Sequence, residues 1–334
     1  MEGLGKYRDY TKMSKKEILD AVKDAGIVGL GGAGFPTHVK MMPKSPEAID
    51  YIIVNGAECE PYLTSDYRLM MENPEMIVSG LKVMLRVFDN AQGIIAVEAN
   101  KPAGIRNLEE LVKNEDRIKV VTCKTKYPQG GERNLIYACT GRKINSTKLP
   151  ADAGCIVDNV DTVIAIHMAV CENTPLMRRI FTITGDGITQ PGNYNVKIGT
   201  SYSEIVEAAG GLREGVKKVI AGGPMMGMAV STVDLPITKT SSALLCLMED
   251  EAAAYEETTC IRCGKCAQVC PSHIIPQKMM DAAEKHDLAM FQYLNGMECC
   301  ECGCCTYACP ARRPLTQAFK QMRQAVMAER RKKG

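Results

Sequence analysis

The stretch Cys260-Ile261-Arg262-Cys263-Gly264-Lys265-Cys266-Ala267-Gln268-Val269-Cys270-Pro271 and its echo, Cys299-Cys300-Glu301-Cys302-Gly303-Cys304-Cys305-Thr306-Tyr307-Ala308-Cys309-Pro310, spell the pattern C-x-x-C-x-x-C-x-x-x-C-P twice. Three thiolates at this spacing converge on one 4Fe-4S cubane from a short loop, while the fourth cysteine, set apart, reaches across to the other cubane. The spacing assigns Cys260, Cys263, Cys266 and Cys309 to one cluster, and Cys299, Cys302, Cys305 and Cys270 to a second. The proline after each fourth cysteine stops the turn from continuing as a helix. Structural zinc sites split their ligands in pairs with longer gaps, and neither copy does so. Cys300 and Cys304 fall outside the register and read as packing residues beside the second cluster.

At 334 residues the chain is too long to be a small cluster carrier alone, so other domains precede the cysteines. An apolar content of 46% with 24% charged residues is ordinary for a chain that buries a sizeable core. A formal charge of +2 gives no pull toward nucleic acid. Eight of the 16 cysteines belong to the two motifs, and no charged-then-apolar signal opens the sequence. Cysteine usage therefore points to a reducing compartment rather than a disulfide framework. No apolar run approaches the roughly 18 residues of a spanning helix, so membrane association is expected to be peripheral.

Ahead of the cysteines, Ser14 and Glu17 form a capping box before Ile18, Leu19, Val22 and Ala25, and Gly26 closes a helix expected over about 14–26. The next residues, Gly29-Leu30-Gly31-Gly32-Ala33-Gly34, satisfy G-x-G-x-x-G in letter. A dinucleotide fingerprint follows a strand and opens a helix, whereas this run follows a helix and enters Phe35-Pro36. What remains is a loop whose backbone N–H groups can approach a flat or phosphorylated ligand, or an ordinary connector.

From residue 51 strands and helices alternate. Tyr51 to Val54, Ile94 to Val97 and Ile118 to Thr122 read as strands, and Pro74 and Ile105 lie in helices between them. This pattern predicts a mainly parallel sheet with ligands at its carboxyl ends. Those ends carry Asn55 to Pro61, Glu98 to Asn100 and a loop over Lys126 to Arg133. Asp158-Asn159 precedes a helix from Val160 to Val170, with Asn159 near its start as a plain cap. From Phe181 to about 245, short strands at Phe181 to Thr184 and Lys217 to Ala221 surround one helix at Ser203 to Ala209, as in a small α+β domain. Ala252 to Ala254 read as a helix start or a linker. Leu315, Phe319, Met322 and Val326 stripe a basic helix ending Arg330-Arg331-Lys332-Lys333, which is expected to pack on its own domain rather than on a partner or a membrane. His38, His167, His273 and His286 are scattered, none in metal-ligand spacing.

Gly26 through Lys40, then Val54 to Pro61, then the two cysteine repeats resemble the RnfC family, the C component of the Rnf electron-transport complex, and the likeness extends over nearly the whole chain. Thr184-Gly185-Asp186, Pro191 to Tyr194 and Gly222 to Gly227 resemble that family's β-grasp (SLBB) domain. The family is similar in turn to the flavin- and NADH-binding subunit of respiratory complex I. The resemblance implies an α/β fold in three parts: a complex I 51-kDa-like FMN/NADH domain at 1–175, a small β-grasp domain at 176–248, and an α-helical two-cluster ferredoxin-like domain at 249–334. FMN would lie against Gly29, Gly31, Gly32 and Gly34, with Lys40, Asn55, Glu58, Tyr127, Glu132, Asp158 and Asn159 around it and Phe35 facing the nicotinamide. Ala57 stands where the complex I pattern has an acidic residue, and Arg133 where it has a second glutamate, so that Arg133 offers a cation to a nucleotide phosphate. The family also carries an N-terminal β-rich sandwich module ahead of the flavin domain, and this chain starts near the flavin domain.

The implied function is electron transfer between NAD(H), FMN and two 4Fe-4S clusters in a ferredoxin:NAD+ oxidoreductase. Its partners would be the other subunits of a membrane complex and a ferredoxin-linked donor or acceptor, with Na+ or H+ pumped by those subunits. The protein would sit peripherally on the cytoplasmic face of a bacterial membrane. Two alternatives stand beside it: a related flavin and iron-sulfur reductase serving a corrinoid or amino-acid reductase system, and an electron-carrying scaffold with an empty glycine loop.

Overall fold

The structure, a computed structural model, describes residues 4–333; Met1–Gly3 and Gly334 lie outside the described residues. The chain forms two compact units. One runs through Gly223 and resumes at Met228–Met248; the other comprises Pro224–Gly227 and the chain from Glu249 onward.

The first unit opens with α1 (Lys15–Asp24), started by the expected capping box: Ser14 Oγ accepts the Glu17 N–H and the Glu17 carboxylate accepts the Ser14 N–H at 2.8 Å. Gly26, at φ +67°, ends the turn that follows. The short α2 (Thr37–Lys40) comes after the glycine loop. Then alternate β1 (Tyr51–Gly56), α3 (Ser65–Glu72), α4 (Pro74–Val87), β2 (Gln92–Glu98), α5 (Pro102–Val112), β3 (Ile118–Cys123), α6 (Glu132–Thr140), β4 (Cys155–Asn159) and α7 (Val160–Cys171).

The four strands are all parallel in the order β3-β2-β1-β4, with Ile53 opposite both Ile94 and Val157. Strand alternation divides the core between the two faces. Ile52, Val54, Ile95 and Val97 pack with α4, α5 and α7. Ile53, Ile94, Ala96 and Val157 pack with Leu135 and Ile136 of α6. A sheet covered on both faces needs apolar residues at successive positions, and β2 is buried from Gly93 through Glu98. Helices α4 and α7 meet at Gly80, where a Cβ would strike the Val163 carbonyl.

The second sheet consists of β5 (Arg178–Thr184), β6 (Gly192–Lys197), β7 (Lys218–Ala221), β8 (Met228–Ala229) and β9 (Ala243–Leu247), in the order β6-β5-β9-β7-β8. β5 and β9 run parallel, and the other three pairs, β5 with β6, β7 with β8 and β7 with β9, run antiparallel. α8 (Tyr202–Ala208) lies on it, with Tyr202 stacked on Phe181 at a centroid distance of 5.7 Å.

In the second unit residues 251–254 form turns, so the alanines at 252–254 are linker and not helix. The first cysteine motif contains the short α9 (Lys265–Gln268) and the second the short α12 (Cys304–Tyr307); α10 (Pro276–Glu284) and α11 (Leu288–Tyr293) lie between them, and α13 (Leu315–Lys333) follows. The two copies repeat in backbone as well as in sequence. Arg262 and Glu301 hold matching places at φ 55° and 57°, Gly264 and Gly303 at 76° and 83°, and His273 and Arg312 at 52° and 55°. The striped face of α13 is buried on this unit through Leu315, Phe319, Met322 and Val326, alongside Met279 of α10 and Phe291 of α11. Among the described residues no helix is long and apolar enough to cross a membrane.

Candidate functional site

The glycine loop is a closed bend. Val28 and Pro36 form an antiparallel bridge, the Gly29 N–H donates to the Phe35 carbonyl at 2.8 Å, and the Gly34 N–H donates back to the Gly29 carbonyl at 3.1 Å. Gly32 takes φ +107° and a Cβ there would meet nothing within 4 Å, so its outer side is open. A Cβ on Gly31 would sit 3.3 Å from that of Asn159, which places the bend against the carboxyl end of β4. Phe35 stands on its rim, 46% exposed.

Around the sheet ends, the expected residues fall into linked groups. Lys40 Nζ donates to Asp158 Oδ1 at 2.8 Å and to the Val157 carbonyl at 2.7 Å, so its charge is engaged at the end of β4. Glu132, on the first turn of α6, feels the Lys40 cation and the Asp158 anion. Burial pushes both carboxyls above the usual range, and Lys40 opposes the rise in each. Asn55 Nδ2 donates to the Gly130 carbonyl at 2.9 Å, tying the end of β1 to the loop that holds Tyr127. Glu58 accepts the N–H groups of Asp66 and Tyr67, at 2.8 and 3.2 Å, capping the start of α3. Burial, then the neighbouring Asp66, raise it to about 8. Asn159 caps α7 through the Asp161 N–H and donates to Asp66 Oδ2 at 2.7 Å.

The loop expected over Lys126 to Arg133 is shorter than that, because Glu132 and Arg133 already belong to α6; Gly131 is its N-cap. Strand β4 has no counterpart in the strands expected from sequence, although it is what delivers Asp158 and Asn159. Gln129, 1% exposed, is a further candidate that sequence reasoning missed.

Thr37 Oγ1, Gln129 Nε2 and Asp158 Oδ2 are buried side-chain atoms lacking a hydrogen-bond partner among the described residues. Buried polar atoms are rarely left so. Two of them lie at the carboxyl ends of the sheet beside an open glycine bend. That combination of a backbone cradle, spare donors and acceptors, and an adjacent lysine fits a flavin nucleotide.

In the second unit a cavity of about 80 Å³ is lined by Cys260, Cys263, Cys266 and Cys309, together with Ile261, Ile275 and Leu315. Cys309, from the second copy, thus joins three cysteines of the first. Cys305 lies close to Cys270, and Cys299 close to Cys305. Cys299 Sγ accepts the Glu301 N–H at 3.4 Å. Cys300 and Cys304 neighbour Cys302, beside the second set as expected. Among the described residues no three His, Cys, Asp or Glu side chains close on a single-ion centre. Four cysteines spread round one cavity rather than closed on a point suit a cluster rather than one ion.

Comparison with known proteins bears on both parts. The Nuo51 FMN-binding domain model matches residues 22–168, the SLBB domain model 180–229, and the 4Fe-4S dicluster domain model 253–318. In fold the chain is similar to an NAD+-reducing [NiFe]-hydrogenase structure, with a TM-score of 0.64 at 19% identity, over 95% of this chain and 63% of that one. It is 42% identical over 285 residues to the C component of the proton-translocating ferredoxin:NAD(+) oxidoreductase complex of Clostridium ljungdahlii, covering 85% of this chain and 62% of that protein. It is 37% identical to the C component of the ion-translocating oxidoreductase complex of Yersinia enterocolitica, of which it spans 41%. With the C component of the Na(+)-translocating ferredoxin:NAD(+) oxidoreductase complex of Acetobacterium woodii it shares 40% identity over 326 residues, 98% of this chain and 74% of that one. Identity held at that level across almost every residue means that the chain belongs to the RnfC family of ion-translocating ferredoxin:NAD+ oxidoreductase complexes.

Proposed function

We propose that the chain is an electron-transfer subunit that passes electrons between NAD(H), FMN and two 4Fe-4S clusters. It would do so in a membrane-bound ferredoxin:NAD+ oxidoreductase whose other subunits move Na+ or H+, docked peripherally on the cytoplasmic face. The chemistry supplied by bound FMN and clusters is conversion between a two-electron hydride and single electrons.

The chain's own residues serve that exchange in separable ways. Gly29, Gly31, Gly32 and Gly34 admit the flavin to the backbone. Lys40 sets one positive charge between Asp158 and Glu132, so that a buried carboxylate pair does not repel the ligand. Asn55 and Asn159 hold their loops in register. Burial and the neighbouring Asp66 push Glu58 up to about 8, which disfavours a negative charge there. Phe35 offers an exposed ring to the nicotinamide, and Arg133 a cation to the nucleotide phosphate. Cys260, Cys263, Cys266 and Cys309 would hold one cluster, and Cys270, Cys299, Cys302 and Cys305 the other.

One observation carries the reading: a single chain pairs an open glycine bend at the carboxyl ends of a parallel sheet with a four-cysteine cavity built from two repeats. Anaerobic purification followed by a flavin and iron inventory tests it. The expected result is one FMN and about eight irons per chain, with flavin absorbance bleached by NADH. Iron without flavin, or bound flavin indifferent to NADH, would overturn it.

A further inference from the structure

The glycine bend is held from two sides, and one of them is the second sheet. Arg179, on β5, is 4% exposed. One terminal nitrogen of its guanidinium donates to the Lys239 carbonyl at 2.6 Å. The other donates to the Leu30 carbonyl in the glycine bend at 3.3 Å and stands 3.9 Å from Asp161 Oδ2. Lys239 in turn donates through Nζ to the Gly26 carbonyl at 2.5 Å. A Cβ on Gly34 would come within 2.7 Å of Thr240 Cγ2, so the same segment also presses on the far end of the bend. From the opposite side, Thr162 Oγ1 accepts the Leu30 N–H at 2.9 Å.

Leu30 is therefore pinned at both its N–H and its carbonyl by buried groups from two different domains. The peptide that joins it to Gly31 is planar and trans, so its carbonyl and the Gly31 N–H point in opposite directions. With the carbonyl drawn toward Arg179, the Gly31 N–H must face away from the second sheet. Among the described residues that N–H has no acceptor.

We propose that Arg179 is a positioning residue of the flavin site: reaching out of the β-grasp sheet, it fixes the Leu30–Gly31 peptide plane so that the Gly31 N–H is presented to an acceptor atom of bound FMN. The β-grasp domain then serves the flavin site as its brace. The proposal rests on the FMN reading above. Asp161, which burial raises to about 7 against the pull of Arg179, and Asp66 are the charged groups that share the guanidinium's surroundings. A neutral replacement leaves Asp161 able to take up a proton in place of the lost cation.

The test titrates FMN into the flavin-stripped, cluster-loaded chain for wild type, Arg179→Gln, Arg179→Lys and Lys239→Met. It reads the dissociation constant, the visible circular dichroism of the bound flavin and its reduction potential. Arg179→Gln is expected to weaken FMN about tenfold and to change the dichroism and potential with iron content intact. Arg179→Lys recovers part of the affinity, because one ammonium cannot reproduce the fork. Lys239→Met, which releases only the Gly26 carbonyl and leaves the Arg179 bonds in place, tests the brace at the start of the bend and weakens FMN by about threefold; Arg179→Lys decides the matter if Arg179→Gln does not fold. FMN bound within twofold of wild type, with unchanged dichroism and potential, in each variant that folds would overturn the proposal. A wild-type chain that binds no FMN removes the flavin reading itself and this proposal with it.

Discussion

Lys40 and Asp158 form an ion pair of unequal burial: Nζ lies 2.8 Å from Oδ1, with the lysine side chain 21% exposed and the carboxylate 1%. The two partners are therefore not equivalent under mutation. Lys40→Met strands a buried charge, the costlier loss, and is expected to lower stability by about 3 kcal/mol. Asp158→Asn leaves a lysine that can turn to water and should cost about half as much. The double variant should recover part of the Lys40→Met loss in a urea-unfolding cycle. Equal costs for the two single changes would contradict this asymmetry.

Glu58 links stability to pH. Its folded value, about 8, lies above the ordinary 4.5, so the folded chain holds the proton more tightly than the unfolded one. That contribution is fully present below about pH 4.5 and is lost as pH rises through about 8. The urea midpoint should fall between about pH 5.5 and 8 in the wild type, and Glu58→Gln should flatten the slope over that window.

If Cys309 completes the first cluster and Cys270 the second, Cys309→Ser and Cys270→Ser should each remove about half the iron. Cys300→Ser and Cys304→Ser should leave it in place. Iron analysis and low-temperature electron paramagnetic resonance of the reduced chain measure both, and full iron in Cys309→Ser would argue against the crossed ligand.

Phe319 is fully buried and lies 6.1 Å, centroid to centroid, from Phe291. Phe319→Ala should destabilise the cysteine unit by about 3–5 kcal/mol. The readout is loss of iron at a lower urea concentration. A basic helix that served only as a docking tail would show no such loss.

Much of this was legible before any coordinates. The Ser14–Glu17 box, the strands opening at Tyr51 and Ile118, and the α13 stripe all rest on local signals, and local signals survive folding. The crossed cysteine lining was readable for a similar reason, since loop spacing limits which thiols can converge. Strand β4 was hidden because its five residues, Cys155–Asn159, follow Gly154 without alternation and end in polar side chains that read as a helix cap. Strand β6 was hidden by Asn193, Tyr194 and Asn195, which suit a partly exposed sheet edge more than a core. Arg179 could not be found in advance, because nothing in Arg178–Thr184 distinguishes one arginine from the next. Only the approach of the glycine bend, from a distant part of the sequence, gives it a task.

The mixing of copies around the 80 Å³ cavity also sets an order of events during synthesis. While Cys260, Cys263 and Cys266 are emerging from the ribosome, their fourth wall has not yet been translated; it arrives only with Cys309. A nascent chain can thus offer three thiols but no closed chamber. Completion of the first cluster should therefore wait until Cys309 has left the ribosome, and chains stalled before residue 309 should accumulate as protease-sensitive fragments that lack it.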